Sequence, residues 1–129
     1  MVALIVVVFS AFAIRYVRSK RAEKKREAAY QSALSAYSKD LRPGMTRKDV
    51  EDYLRAKGIQ FQRMCCIEER SAAADLAKIG QEDIPWFCSE NNVYVAFEFA
   101  ATEPHEYWID SDSDTLKRVS IFRWLQGCL

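Results

Sequence analysis

The sequence is poor in the residues that carry recognisable catalytic chemistry. It has one histidine, four glycines and three prolines in 129 residues. No glycine-rich phosphate loop, serine-nucleophile elbow or His-Glu-x-x-His zinc motif occurs. Four cysteines are present, but none are spaced Cys-x-x-Cys, the usual signature of a zinc or dithiol site. The scarcity of Gly and Pro argues against long structureless stretches, and no internal repeat is visible. These absences point away from nucleotide-dependent, serine-hydrolase and zinc-hydrolase classes. The chain reads as non-enzymatic, with no implied cofactor or metal. Its length leaves room for one domain of about ninety residues and a tether.

What the sequence does contain is concentrated at its start. Met1 to Ile14 carries no charge, and Arg15, Arg18, Lys20, Arg21, Lys24, Lys25 and Arg26 follow at once. Residues 1–17 are expected to form a single-pass membrane anchor. Seventeen helical residues rise ~25 Å against a hydrocarbon core of ~30 Å, the short end of the spanning range. The seven basic residues are expected to meet anionic headgroups, so the lipid bilayer is the first partner. A cleaved signal peptide competes with the anchor, because Ala11-Phe12-Ala13 resembles a cleavage site, though no basic residue precedes the run. Charge separates the two parts of the chain. Residues 1–27 carry seven Lys/Arg and two Asp/Glu, a balance of +5; the rest carry twelve and sixteen, a balance of −4. Nucleic acid is not an expected partner, because no basic, aromatic-interleaved domain follows the cluster. The basic flank favours a cytoplasmic domain; the cysteines favour an exported one.

The basic cluster runs into a stalk helix over 18–41, rich in Ala, Lys, Glu and Arg. Tyr30, Leu34, Tyr37 and Leu41 share one face of it. That stripe either docks the stalk on the domain or pairs two copies through Tyr30, Leu34 and Tyr37. Pro43-Gly44 ends the helix. The folded domain is expected over 42–129. Thr46 with Asp49 makes a capping-box spacing, and Val50, Tyr53 and Leu54 form an apolar face closed by Gly58, predicting a helix over 47–57. A strand follows from Ile59 and Phe61 towards Met64. Ala72 to Ile79, capped by Ser71 and closed by Gly80, predicts a short helix. Val93, Val95, Phe97 and Phe99 alternate with Tyr94, Ala96 and Glu98, the period of a half-buried strand. Lys117 to Leu125 predicts the last one. The fold class is therefore α+β, with a membrane and stalk helix followed by two short helices on a three-stranded antiparallel sheet.

Leu41-Arg42-Pro43-Gly44-Met45-Thr46-Arg47-Lys48-Asp49-Val50, with Tyr53-Leu54 after it, resembles the helix start of the SmpA/OmlA, or BamE-like, domains. The match spans about residues 41–54. The resemblance implies a small bacterial envelope domain of two helices on an antiparallel sheet, with a bias towards protein–protein contact. It also favours the exported side. This chain has no lipobox cysteine near residue 20, so a lipoprotein anchor is not implied.

Cys65, Cys66, Cys88 and Cys128 are the candidate disulfide or thiol residues. In an oxidising compartment, Cys88 is expected to bridge to Cys65 or Cys66, since each borders a strand; a Cys65–Cys66 bridge would close a strained eight-membered ring. The alternative to a binding domain is a thiol-dependent redox or metal-binding module using Cys65, Cys66 and Cys88. His105 lies between carboxylates in a polar stretch and reads as a solvated histidine. Asp110, Asp112 and Asp114 alternate like calcium ligands but lack the glycine and distant glutamate of an EF-hand. Trp86, Phe87, Trp108 and Trp124 read equally as core residues or as surface anchors for a protein partner.

Overall fold

The computed structural model describes residues 2–65, 67, 73–101 and 111–129, with side chains from Ile5 onwards. The elements run α1 (Val2–Asp40), α2 (Arg47–Ala56), β1 (Gln62–Met64), β2 (Ala74–Gln81), β3 (Glu90–Ala100) and β4 (Thr115–Gln126). The strands form one antiparallel sheet in the order β1-β2-β3-β4. The chain divides into two compact units, residues 1–32 and 33–129. The last two turns of α1 thus belong with the sheet domain.

Two expectations about the architecture are corrected. The sheet has four strands, because the stretch expected to be a short helix is β2. Alanine fits either state, and the eight residues are too few for helical propensity to outweigh pairing on both edges. Leu76 and Ala74 face one side of the sheet, and Ala77 the other. The second correction concerns the anchor. Among the described residues, no helix is long and apolar enough to cross a membrane. The physical reason is length: the apolar run up to Ile14 reaches about 21 Å, short of a core of about 30 Å. Arg15 and Arg18 then interrupt it.

The main core lies between the helices and one face of the sheet. It joins Leu41, Val50 and Leu54 to Ala77, Val95, Phe97, Phe99 and Leu116. Tyr37 packs its edge on Phe97, ring centroids 5.2 Å apart. The stalk stripe is thereby drawn into the domain at Tyr37 and Leu41, and Leu34 is half-buried. On the sheet's other face, Ala74, Leu76, Tyr94 and Ala96 gather with Met64, Ile67, Phe122 and Trp124.

Helix α2 shows how sequence fixes this arrangement. The Thr46 hydroxyl accepts from the Asp49 amide at 3.2 Å. At the other end, the Gly58 amide donates to the Arg55 carbonyl and the Ile59 amide to the Leu54 carbonyl. Gly58 has φ 70°, the left-handed conformation that this type of helix end requires. Thr46→Ala should cost about 1 kcal/mol. Leu54, fully buried, should cost roughly 2–5 kcal/mol when cut to alanine. Urea melts of both variants check this; similar small losses would mean that α2 is not docked as described.

Candidate functional site

Among the described residues, the most exposed aromatic side chain of the domain is Trp86, 90 % accessible. It lies in the segment between β2 and β3, where Ile84 and Phe87 are also exposed. Trp86 stands edge-on to Phe87, centroids 5.7 Å apart. Leu125 at the end of β4 and the terminal Leu129 are exposed too. Water-exposed tryptophan is costly unless something else covers it, and Trp is the residue most enriched at interface hot spots.

This tip is held from both sides. Cys88 and Cys128 form a disulfide with Cα atoms 3.9 Å apart. The Leu129 amide donates to the Phe87 carbonyl at 2.8 Å, and the Cys88 amide to the Pro85 carbonyl at 3.0 Å. The Asn91 side-chain amide donates to the Asp83 carbonyl at 2.8 Å. Ser89 donates to the Gln126 carbonyl through its amide and its hydroxyl. Gly127 makes that close approach possible. Its φ is 60°, and a Cβ there would fall 1.9 Å from Ser89 Oγ.

The bridge corrects the expectation of a Cys88 link to Cys65 or Cys66. Glu90 pairs with Gln126, and that register places residue 88 opposite residue 128 two positions further on. Cys65 follows β1, whose Met64 pairs with Ala74, which in turn pairs with Glu98 near the far end of β3. Cys65 and Cys88 therefore lie towards opposite ends of the sheet. Cys65 is itself disulfide-bonded, and Cys66 falls outside the described residues. Of the three cysteines of the redox or metal alternative, Cys65 and Cys88 are not gathered at one place. Among the described residues, no group of three His, Cys, Asp or Glu side chains could hold a metal ion.

A second cluster is buried beneath α2. Arg47 has no exposed side chain and donates from Nη2 to Asp75 Oδ1 at 2.5 Å; Asp75 is equally buried. Its Nε lies 3.5 Å from Glu51 Oε1, and its guanidinium stands 5.1 Å from the Phe99 ring centre. Glu51 also accepts from Arg63 Nε at 2.7 Å and from Arg55 Nη2 at 2.8 Å. Arg63 reaches on to Asp112 at 2.8 Å. The network ties α2 to β1, β2 and the turn before β4. That turn also caps α2: the Arg47 and Lys48 amides donate to the Asp114 and Asp112 carbonyls. Asp112 and Asp114 thus serve α2; Asp110, His105 and Trp108 lie outside the described residues.

The two acids are pushed apart. Burial raises the Asp75 carboxyl to about 6, aided by the neighbouring Glu51 and opposed by Arg47. Burial also pushes Glu51 up, but the Arg63 and Arg55 guanidinium groups more than offset it and hold Glu51 below its ordinary value. Asp75 Oδ2 has no hydrogen-bond partner among the described residues. The folded state therefore holds the Asp75 proton more tightly than the unfolded chain. Its contribution to stability is complete below the unfolded value of 3.8 and is lost as pH rises through about 6. Asp75→Asn keeps an acceptor for Arg47 but cannot titrate. Between pH 4 and 7, stability should shift in favour of the variant by on the order of 2 kcal/mol relative to wild type. Chemical melts across that range test the sign; parallel curves would remove Asp75 as a titrating group.

The basic residues of the first helix are all solvent-facing, with Arg26 half-covered. Lys20 pairs with Glu23 at 3.0 Å. The apolar side chains before them are exposed as well, including Phe9 at 71 % and Phe12 at 68 %. Sequence reasoning singled out the cysteines and the basic cluster, and left Trp86 open between core and surface. It missed Arg47 and Asp75, whose only signal was an acidic residue inside an otherwise apolar stretch.

No family model, curated protein or solved structure matches this chain.

Proposed function

We propose that this chain is a membrane-tethered, non-enzymatic α+β domain that binds another protein in a bacterial envelope through its Trp86 tip. The observation that carries the reading is the 90 % exposure of Trp86 on a segment fixed by the Cys88–Cys128 bridge. Holding an aromatic anchor rigid in water lowers the entropy cost of docking it. The bridge also favours an oxidising, exported location. The tether is the start of α1. Its exposed apolar turns enter lipid from one face, and Arg15, Arg18, Lys20, Arg21, Lys24, Lys25 and Arg26 sit among the headgroups, each worth roughly 1 kcal/mol near an anionic surface. The resemblance of residues 41–54 to the SmpA/OmlA domains is consistent with an envelope role.

A photo-crosslinking residue in place of Phe87, in the full chain expressed in cells, tests the docking. A discrete adduct should form and should disappear in the Trp86→Ala background, while that variant melts within about 0.5 kcal/mol of wild type. No adduct, or one indifferent to Trp86, would sink the reading. Flotation with anionic vesicles tests the tether. The full chain should float, and a chain without residues 1–26 should stay behind; equal behaviour would remove the tether.

A further inference from the structure

The Cys88–Cys128 bridge lies outside the two apolar clusters that pack the faces of the sheet. Cys128 is exposed and Cys88 is half-buried. The exposed side chains of Ile84, Trp86, Phe87 and Leu125 belong to the two segments that it joins. Thiol–disulfide exchange requires a thiolate to reach a sulfur atom. Exposed disulfides are therefore the labile and regulatory ones, whereas structural ones resist reduction.

The register of β3 on β4 does not depend on this bridge. Glu90 already pairs with Gln126, and the Ser89 amide and hydroxyl both hold the Gln126 carbonyl. What the bridge fixes is the stretch beyond that pair. Cys88 adjoins Phe87 and stands two residues from Trp86. The Leu129 amide donates to the Phe87 carbonyl at 2.8 Å. Among the described residues, no other hydrogen bond joins residues 127–129 to residues 84–88. With the bridge open, the tip is tied to the segment after β4 by one hydrogen bond between two exposed residues.

We propose that the Cys88–Cys128 bridge is a redox latch on the Trp86 tip, opened in the folded protein by a dithiol reductant of the Cys-x-x-Cys kind. Its effect on docking rests on the reading of Trp86 as the anchor for a protein partner. One thiolate of the reductant attacks Sγ of Cys128, the more exposed of the pair. The S–S bond breaks, and Cys88 leaves as a thiolate that takes up a proton. The second thiol of the reductant loses its proton and attacks the mixed disulfide. Cys128 leaves in turn as a thiolate and is protonated. The bridge is reduced to two thiols, and the dithiol is oxidised to a disulfide. Closed, the latch holds Trp86 and Phe87 in place before a partner arrives. Open, both side chains must be ordered on binding, which lowers affinity.

Treatment of the full chain with dithiothreitol tests the latch, at a temperature where the centre of β3 keeps its amide protection. Alkylation and peptide mapping follow residues 88 and 128. The bridge should open at a rate proportional to dithiothreitol concentration and insensitive to mild urea. The amides of Ile84, Trp86 and Phe87 should then exchange faster. In cells, the adduct from a photo-crosslinking residue at position 87 should fall at least about fivefold when Cys88→Ser and Cys128→Ser are combined. Should that double variant fail to fold, reduced wild type still supplies the exchange measurement. A bridge that opens only as fast as the domain unfolds, whatever the dithiothreitol concentration, would overturn the proposal. So would opening that leaves the exchange at residues 84–87 unchanged, or an undiminished adduct in the folded double variant. Faster exchange on reducing the double variant would also overturn it, because the response would then belong to the bridge of Cys65. No adduct even with the bridge closed would overturn the docking reading instead, and the opening rate and the exchange would still decide the latch.

Discussion

Arg47→Met should destabilise the domain by about 3–5 kcal/mol at neutral pH. The side chain is wholly buried between Asp75 and Glu51, and methionine occupies much the same space without the charge. Most of the loss would not be the worth of the pair. It would be the penalty for leaving Asp75 ionised in the interior with no cation beside it. Glu51 keeps Arg63 and Arg55, so the uncompensated charge is that of Asp75. Two consequences separate this account from simple loss of packing. The variant should recover part of its stability at pH 5, because Asp75 escapes the penalty by taking up a proton; burial already holds its folded value at about 6. Arg47→Met combined with Asp75→Leu should regain most of the loss, since a well-packed apolar pair commonly replaces a buried ion pair at little cost. Urea melts at pH 5 and 7.5 decide it. A loss independent of pH, and undiminished in the double variant, would mean that Arg47 acts through its packing on Phe99.

Much of this domain was legible because local chemistry and tertiary role agree. Thr46, Asp49, Leu54 and Gly58 signal a helix start, face and stop, and each acts in that role. The strict alternation from Val93 to Phe99 marks β3, whose inward residues fill the core. The sequence misled where a residue type is neutral between states. Ala73-Ala74-Asp75-Leu76-Ala77 has helical propensity and a helical apolar spacing, yet from Ala74 on it is a central strand. Alanine suits a position hemmed in on both faces, and pairing with β1 and β3 outweighs a propensity of tenths of a kcal/mol per residue. Arg47 was unreadable for a different reason. In a first turn beside Lys48 and Asp49 it looks solvated, and nothing local announces a partner 28 residues away. The first helix reads as continuous in both views, but its apolar part ends too soon to cross a bilayer.

Loss of the Cys88–Cys128 bridge should be the other large effect. The cysteines are 40 residues apart, and the chain-entropy model assigns a closure of that length about 4 kcal/mol. The serine double variant should therefore fall by that order in chemical stability, and reduced wild type should match it. The expectation of a shorter loop from Cys65 or Cys66 to Cys88 failed because it weighed which strands the cysteines border and not how those strands align. Once β3 and β4 are taken as antiparallel neighbours, residues 88 and 128 continue their ladder, and the bridge closes the end of the hairpin distant from its turn. The functional cost should be separable from the thermodynamic one. At temperatures where the reduced protein remains folded, the segment carrying Ile84, Trp86 and Phe87 loses its covalent hold on the C-terminus. Its amides should then exchange faster, while those at the centre of β3 should not. Peptide mapping without reduction should recover residues 88 and 128 in one cross-linked fragment. A fragment joining Cys88 to Cys65 or Cys66 would contradict the register of β3 on β4, and with it the placement of the Trp86 tip beside Leu125 and Leu129.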